Sequence, residues 1–212
     1  MKKEKAQQIL TLLRKEYPDV HGTALTFRNA LELLVATILS AQCTDEKVNE
    51  VTETLFKEYE TAEDYAGADL KELEEIIKPA GFYHNKAKFI KASAAKLVED
   101  FKSQVPKSIE ELTKLKGVAR KTANVVLSNA FGINEGVAVD THVMRLAKRL
   151  GFTDAKDRDR IEKDLMNLFP KEQWFELTNI LIAHGRDKCG ARRPKCNTCP
   201  VNHLCPSAFS FS

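Results

Sequence analysis

The chain has 212 residues, 43% hydrophobic and 30% charged, with 9 Gly and 7 Pro, a balance that fits a folded protein and disfavours a loop-rich all-β design. No run of 18 apolar residues offers a membrane span, and the opening MKKEKAQQIL lacks the apolar stretch of a secretory signal. Lys and Arg number 33 against 30 Asp and Glu, a net charge of +3 that excludes a basic tail protein; a cytoplasmic, reducing setting with no targeting signal is expected.

The pattern is helix after helix. Ala30–Ala41 is apolar nearly all round, as a buried central helix must be. Thr44 is placed to cap Asp45–Tyr59, whose Val48, Val51, Leu55 and Phe56 share one face. Leu70, Leu73, Ile76 and Ile77 repeat that spacing until Pro79 and Gly81 stop it, and Ala87–Phe101 follows. Ser108 and Glu111 form a capping box for a short helix to about Lys114. Gly117 punctuates, and Lys121–Phe131 resumes. Thr141–Leu150 ends at Gly151, Arg158–Phe169 at Pro170, and Glu172–Ala183 closes the helical part. Strand composition is confined to Gly136–Val139, too short for a sheet.

Charge is segregated along the chain. Glu60–Glu75 holds seven acids and one base, Lys71. His84–Lys96 holds four lysines, Lys114–Lys121 four bases, and neither holds an acid. Gly185–Ser212 holds five bases and one acid. Any one run reads as a solvated face; three basic runs together point to a polyanion such as nucleic acid.

Four of the 5 Cys lie in the last 28 residues, as Cys189-x6-Cys196-x2-Cys199-x5-Cys205. That segment has no periodic apolar face, and four thiolates around a metal centre would supply the cohesion that burial does not. Disulfides fit poorly without a secretion signal. The spacing alone leaves zinc and iron–sulfur both open. Between the first two cysteines, Gly190–Lys195 carries three bases, so Arg192 and Arg193 are candidates for phosphate contact. Cys43 stands apart and reads as a small buried residue.

Two further residues stand out. The segment LKGVARKTANVVL passes from a short helix to a longer one through Gly117, and a glycine turn opening a helix aims backbone N–H groups at an anion. Lys121 sits in that helix's first turn, where the dipole opposes its positive charge and favours the neutral amine a nucleophile needs. Asp140 follows Val137-Ala-Val139 and opens the next helix. It reads as an N-cap, and a carboxylate so held can also stabilise a developing cation.

LKGVARKTANVVL, then VAVDTHV, then the four-cysteine spacing, with LVATILSAQCTD and AGFYHNKA earlier, resemble endonuclease III, the helix-hairpin-helix family of DNA glycosylases with an associated lyase activity. The resemblance covers essentially the whole chain. It implies an all-α fold of two helical domains flanking a DNA-binding groove: a six-helix barrel with the helix-hairpin-helix at 22–134, and an iron–sulfur domain from 1–21 and 135–212. It implies a [4Fe-4S] cluster on Cys189, Cys196, Cys199 and Cys205, a nucleophilic Lys121 and an assisting Asp140. The implied substrate is double-stranded DNA with an oxidised or ring-saturated pyrimidine or an abasic site, and the implied state a monomer. Gln42 and Phe82 match the family's wedge positions; on the residues alone Gln42 ends a helix and Phe82 is core. Gly117 and Ala119 match the phosphate-gripping hairpin, with two departures: Lys116 stands where the family has Pro, and Ala119 where it has a second Gly. His142 reads as structural. The rivals are the adenine-mismatch glycosylase of the same superfamily, which generally lacks the lysine, and a non-catalytic cluster protein, which needs neither Lys121 nor Asp140.

Overall fold

The structure, a computed structural model, describes Lys2–Ser210; Met1, Phe211 and Ser212, at the ends of the expected outer domain, lie outside the described residues. The chain divides into two compact units, one from Thr23–Ile133 and one from Met1–Gly22 with Asn134–Ser212. Each has its own apolar core. Every regular element among the described residues is helical.

The continuous unit carries seven α-helices among the described residues. Helix α2 (Ala30–Leu39) is buried along its length from Glu32 to Leu39. Its one buried charge, Glu32, is paired with Arg28 at 2.6 Å. The helix stops at Leu39, short of the expected Ala41, because Gln42 turns into left-handed backbone at φ 54°. Thr44 caps α3 (Asp45–Glu58) as expected. The acidic run then does something that charge counting did not foresee. It contains α4 (Ala62–Gly67), closed by a Thr61–Asp64 capping box, and Asp69 caps α5 (Leu70–Ile77). Hydrogen bonds from Thr61 and from the Lys71 and Glu72 amides hold the Asp64 and Asp69 carboxyls below their usual range.

After a 3-10 turn at Lys78–Ala80, α6 (Tyr83–Phe101) begins four residues before the expected Ala87 and lies along α4 and α5. Its four lysines are not one solvated face. Lys86 is only 3% exposed, Lys91 donates to the Ala68 carbonyl, and Lys96 pairs with Asp100 at 2.6 Å. Lys88 is the exposed one of the four. The single turn α7 (Ile109–Leu112), capped by Ser108, leads through Gly117 into α8 (Arg120–Phe131), which packs on α2.

The discontinuous unit joins both chain ends. Helix α1 (Lys3–Glu16), which the periodicity reading passed over, buries Ile9, Leu10 and Leu13 in the core that holds Leu177, Ile180 and Leu181 of α11 (Trp174–Asp187). Arg14–Glu176 at 2.5 Å and Gln7–Gln173 at 2.9 Å align the two helices. Helices α9 (Thr141–Arg149) and α10 (Arg158–Leu168) complete the packing. Val137 and Val139 are buried in this core without forming a strand, since no partner strand exists for them among the described residues.

Candidate nucleic-acid interface and metal centre

The hairpin is fixed from beneath by α6. Gly117 adopts φ +78°, and a Cβ there would lie 2.9 Å from Cδ2 and 3.1 Å from Cβ of Phe89. Only glycine meets both demands. Ser93 Oγ donates to the Lys116 carbonyl at 2.7 Å, so the departure from Pro to Lys at 116 leaves the turn anchored. Ala119 is the N-cap of α8 in extended backbone, and no side chain caps that helix. Lys116, Gly117, Ala119 and Lys121 are all exposed on this one hairpin. An uncapped helix start beside exposed cations is an anion site made largely of backbone.

Gln42 and Phe82 share an unusual backbone. Both have left-handed φ, 54° and 51°, and neither is glycine. Such a conformation costs an L-residue roughly 1–2 kcal/mol. Both side chains are exposed, Phe82 by 64%. Phe82 is therefore not core, as its residue type alone implied. A large aromatic held in solvent on strained backbone is a marker of function rather than packing. Cys43 beside Gln42 is half-buried against the first core.

In the other unit Asp140 is the N-cap of α9. Its Oδ1 accepts the Val143 amide at 2.7 Å, and its half-buried carboxylate thereby has one oxygen fixed by the helix. His142, two residues on, is half-buried with Nδ1 3.2 Å from Arg145 Nη2. Burial lowers its basicity, and it packs against Gly185, where a Cβ would come within 2.8 Å of its Nδ1.

The four C-terminal cysteines line one pocket with Arg149, His184 and Lys188. Cys189 follows α11, Cys196 opens a 3-10 turn, and the Cys199 and Cys205 amides close turns on Cys196 and Val201 at 3.2 and 2.9 Å. Among the described residues, no three His, Cys, Asp or Glu side chains gather as a single-ion site. Four thiols around one pocket are the donor set that a [4Fe-4S] cluster uses.

Two residues that sequence reasoning missed organise this pocket. Arg149 sends Nη1 to Cys189 Sγ at 3.4 Å and to the Gly190 carbonyl at 2.7 Å, and Nη2 to the Ala191 carbonyl at 2.7 Å. It thus holds the start of the loop that exposes Arg192 and Arg193, and the Lys195 amide closes that loop on the Lys188 carbonyl at 2.8 Å. His184, 1% exposed, reaches Cys199 Sγ at 3.5 Å through Nε2 and the Tyr17 hydroxyl at 2.9 Å through Nδ1. Burial pushes its pKa down to about 4, so the ring is neutral at neutral pH. Arginine and histidine on amphipathic helices carry no sequence mark of such a task.

The family profile of HhH-GPD superfamily base excision DNA repair proteins matches residues 35–171. Endonuclease III of Synechocystis sp. is 53% identical over 207 residues, 98% of this chain and 94% of that protein. Endonuclease III of Bacillus subtilis is 50% identical over 182 residues, 85% of this chain and 83% of its own length. Among solved structures, a trapped endonuclease III–DNA covalent intermediate superposes with a TM-score of 0.94 at 45% identity, covering 99% of this chain and 98% of that one. The extent of these matches, over a helical fold that carries the hairpin and the four-cysteine pocket, leaves one conclusion: the chain belongs to the endonuclease III family of base excision repair DNA glycosylases, enzymes with an abasic-site lyase activity.

Proposed function

We propose that this protein removes oxidised or ring-saturated pyrimidines from double-stranded DNA and cleaves the resulting abasic site by β-elimination through a lysine Schiff base. The observation that carries the reading is Lys121 in the exposed first turn of an uncapped helix, directly after the strained Gly117 turn. A base inside a duplex is out of reach, so the damaged nucleotide must leave the stack. Gln42 and Phe82, exposed on left-handed backbone, are suited to fill the space it vacates. Gly117, Ala119 and the α8 amides grip the phosphate backbone without reading sequence, and Arg192 and Arg193 add positional contacts of the same kind.

The Lys121 amine attacks the sugar C1′. The glycosidic bond from C1′ to the base breaks, the base leaves with the bonding pair, and it takes up the proton that the newly bonded lysine nitrogen gives up. Asp140 stabilises the positive charge that builds on the sugar. The nitrogen lone pair then opens the ring at C1′–O4′, O4′ takes a proton, and a protonated imine remains. Loss of a C2′ proton expels the 3′ phosphate, and water releases the lysine. Cys189, Cys196, Cys199 and Cys205 would hold a [4Fe-4S] group, whose contribution is to fold the basic C-terminal segment. The protein acts as a monomer in the cytoplasm; no helix among the described residues is long and apolar enough to cross a membrane.

The test is incubation with an abasic-site duplex under borohydride. Wild type should give a covalent protein–DNA adduct and Lys121→Gln none, while both bind the duplex. Trapping and cleavage retained by Lys121→Gln would assign the nucleophile to another amine.

A further inference from the structure

Lys86 is the most deeply buried lysine of the chain, 3% exposed, and the chemistry described above leaves it without a task. It lies one turn into α6, where its amide bonds to the Phe82 carbonyl at 3.2 Å. Its side chain runs inward. Nζ donates to the Leu39 carbonyl at 2.8 Å and to the Ala80 carbonyl at 2.9 Å.

Those two acceptors end two different elements. Leu39 is the last residue of α2, and three residues later comes Gln42 at φ 54°. Ala80 ends the 3-10 turn, and two residues later comes Phe82 at φ 51°. At each place the chain turns too sharply for the helix to satisfy its last carbonyls. The Cys43 amide, which would continue α2 onto Leu39, bonds to Ser40 at 3.2 Å instead. The Gly81 amide closes on Lys78 at 3.1 Å. The left-handed turns therefore orphan the Leu39 and Ala80 carbonyls, and one ammonium collects both.

We propose that Lys86 is a positioning residue that clamps the Gln42 loop to the Phe82 loop, so that the two side chains enter the duplex as one wedge. Helix C-terminal carbonyls favour a cation, which explains why a charge is tolerated in this place although burial lowers its basicity. A single ammonium shared by both loops fixes their separation more tightly than separate caps would. Misplacing such groups by about 1 Å costs on the order of 10²-fold in rate.

The inference rests on the wedge reading of Gln42 and Phe82, and a double-mutant cycle separates the two. The substrate is a duplex with 5,6-dihydrothymine beside 2-aminopurine. The readouts are single-turnover base removal and the 2-aminopurine fluorescence rise that reports unstacking. Lys86→Met should slow both by roughly 10–10²-fold, while binding to undamaged duplex stays at the wild-type level. In the Gln42→Ala/Phe82→Ala background, already slow, Lys86→Met should slow them no further. An equal loss in both backgrounds overturns the clamp and leaves the wedge standing. A Gln42→Ala/Phe82→Ala protein that extrudes at the wild-type rate overturns the wedge itself. If Lys86→Met does not fold, Lys86→Gln, which keeps an amide donor, runs through the same cycle with the same criteria.

Discussion

Gly117→Ala is the smallest change that tests the hairpin geometry. Two costs follow from the structure. A φ of +78° is foreign to an L-residue and costs roughly 1–2 kcal/mol. The new methyl would lie 2.9 Å from Phe89 Cδ2 and 3.1 Å from Phe89 Cβ. Because Cβ is fixed to α6, rotating the ring does not remove the contact, and overpacking of this kind costs about 1–3 kcal/mol. The combined cost, about 2–5 kcal/mol, will be met by moving the hairpin away from α6 or by loosening it. Either displaces the backbone amides proposed to hold phosphate. Affinity for undamaged and damaged duplex should fall together, about tenfold for each 1.4 kcal/mol spent on the hairpin in the complex. Fluorescence anisotropy at fixed salt measures the affinity, and urea unfolding measures the stability. Phe89→Ala removes the 2.9 Å ring contact but keeps both the 3.1 Å Cβ contact and the dihedral strain, so Gly117→Ala introduced into Phe89→Ala should cost less than in the wild type but more than the roughly 1–2 kcal/mol of strain alone. If Gly117→Ala costs the same with and without the Phe89 ring, the contact is not what constrains this turn. If it costs nothing in either background and binding is unchanged, the hairpin reading fails.

Asp140→Asn keeps a good helix cap and removes the charge. It should slow base removal by about 10²–10³ and affect cleavage of a pre-formed abasic site much less, a difference that single-turnover gels read directly. Asp64 and Asp69 are held below the ordinary carboxylate range by the amides and hydroxyl they cap. Their contribution to stability is present above the unfolded value of about 3.9 and is lost as pH falls through the lower folded values. The melting temperature of Asp64→Asn/Asp69→Asn should therefore be lower than wild type at neutral pH and converge with it as the pH falls through those lowered folded values. Phe82→Gly relieves left-handed strain and should hold or raise the melting temperature, while slowing extrusion of a paired lesion.

Much of this was legible in the sequence because it is local. The Thr44 and Ser108 caps, the apolar length of α2 and the glycine turn at 117 are each decided within a few residues. The four-cysteine spacing is equally local, and the four residues do line one pocket. What escaped is decided by tertiary contact. Lys86 counts as a positive charge in any composition window, but the Leu39 carbonyl of α2 and the Ala80 carbonyl of the 3-10 turn before α6 together take it inside. Arg149 reads as the basic last turn of a helix, whereas its guanidinium holds a loop more than forty residues on. The acids from 60 to 75 read as a solvated face because counting charge does not ask which carboxylates sit at helix starts; Asp64 and Asp69 do.

The positive-φ positions explain why glycine marks only part of the DNA-facing surface. At Gly117 the backbone itself comes close to Phe89, and in the proposed interface to phosphate, so the residue without a side chain is the answer and sequence shows it. In the proposed wedge the side chains of Gln42 and Phe82 would enter the duplex, so glycine would not serve there and the left-handed strain has to be carried by neighbours. The Thr44 cap on α3 follows one of these turns, the first turn of α6 follows the other, and the Lys86 ammonium holds the carbonyls that both leave behind. Local preference is broken where the wedge has to form, and the compensation is tertiary, which is why neither residue type nor spacing announces it.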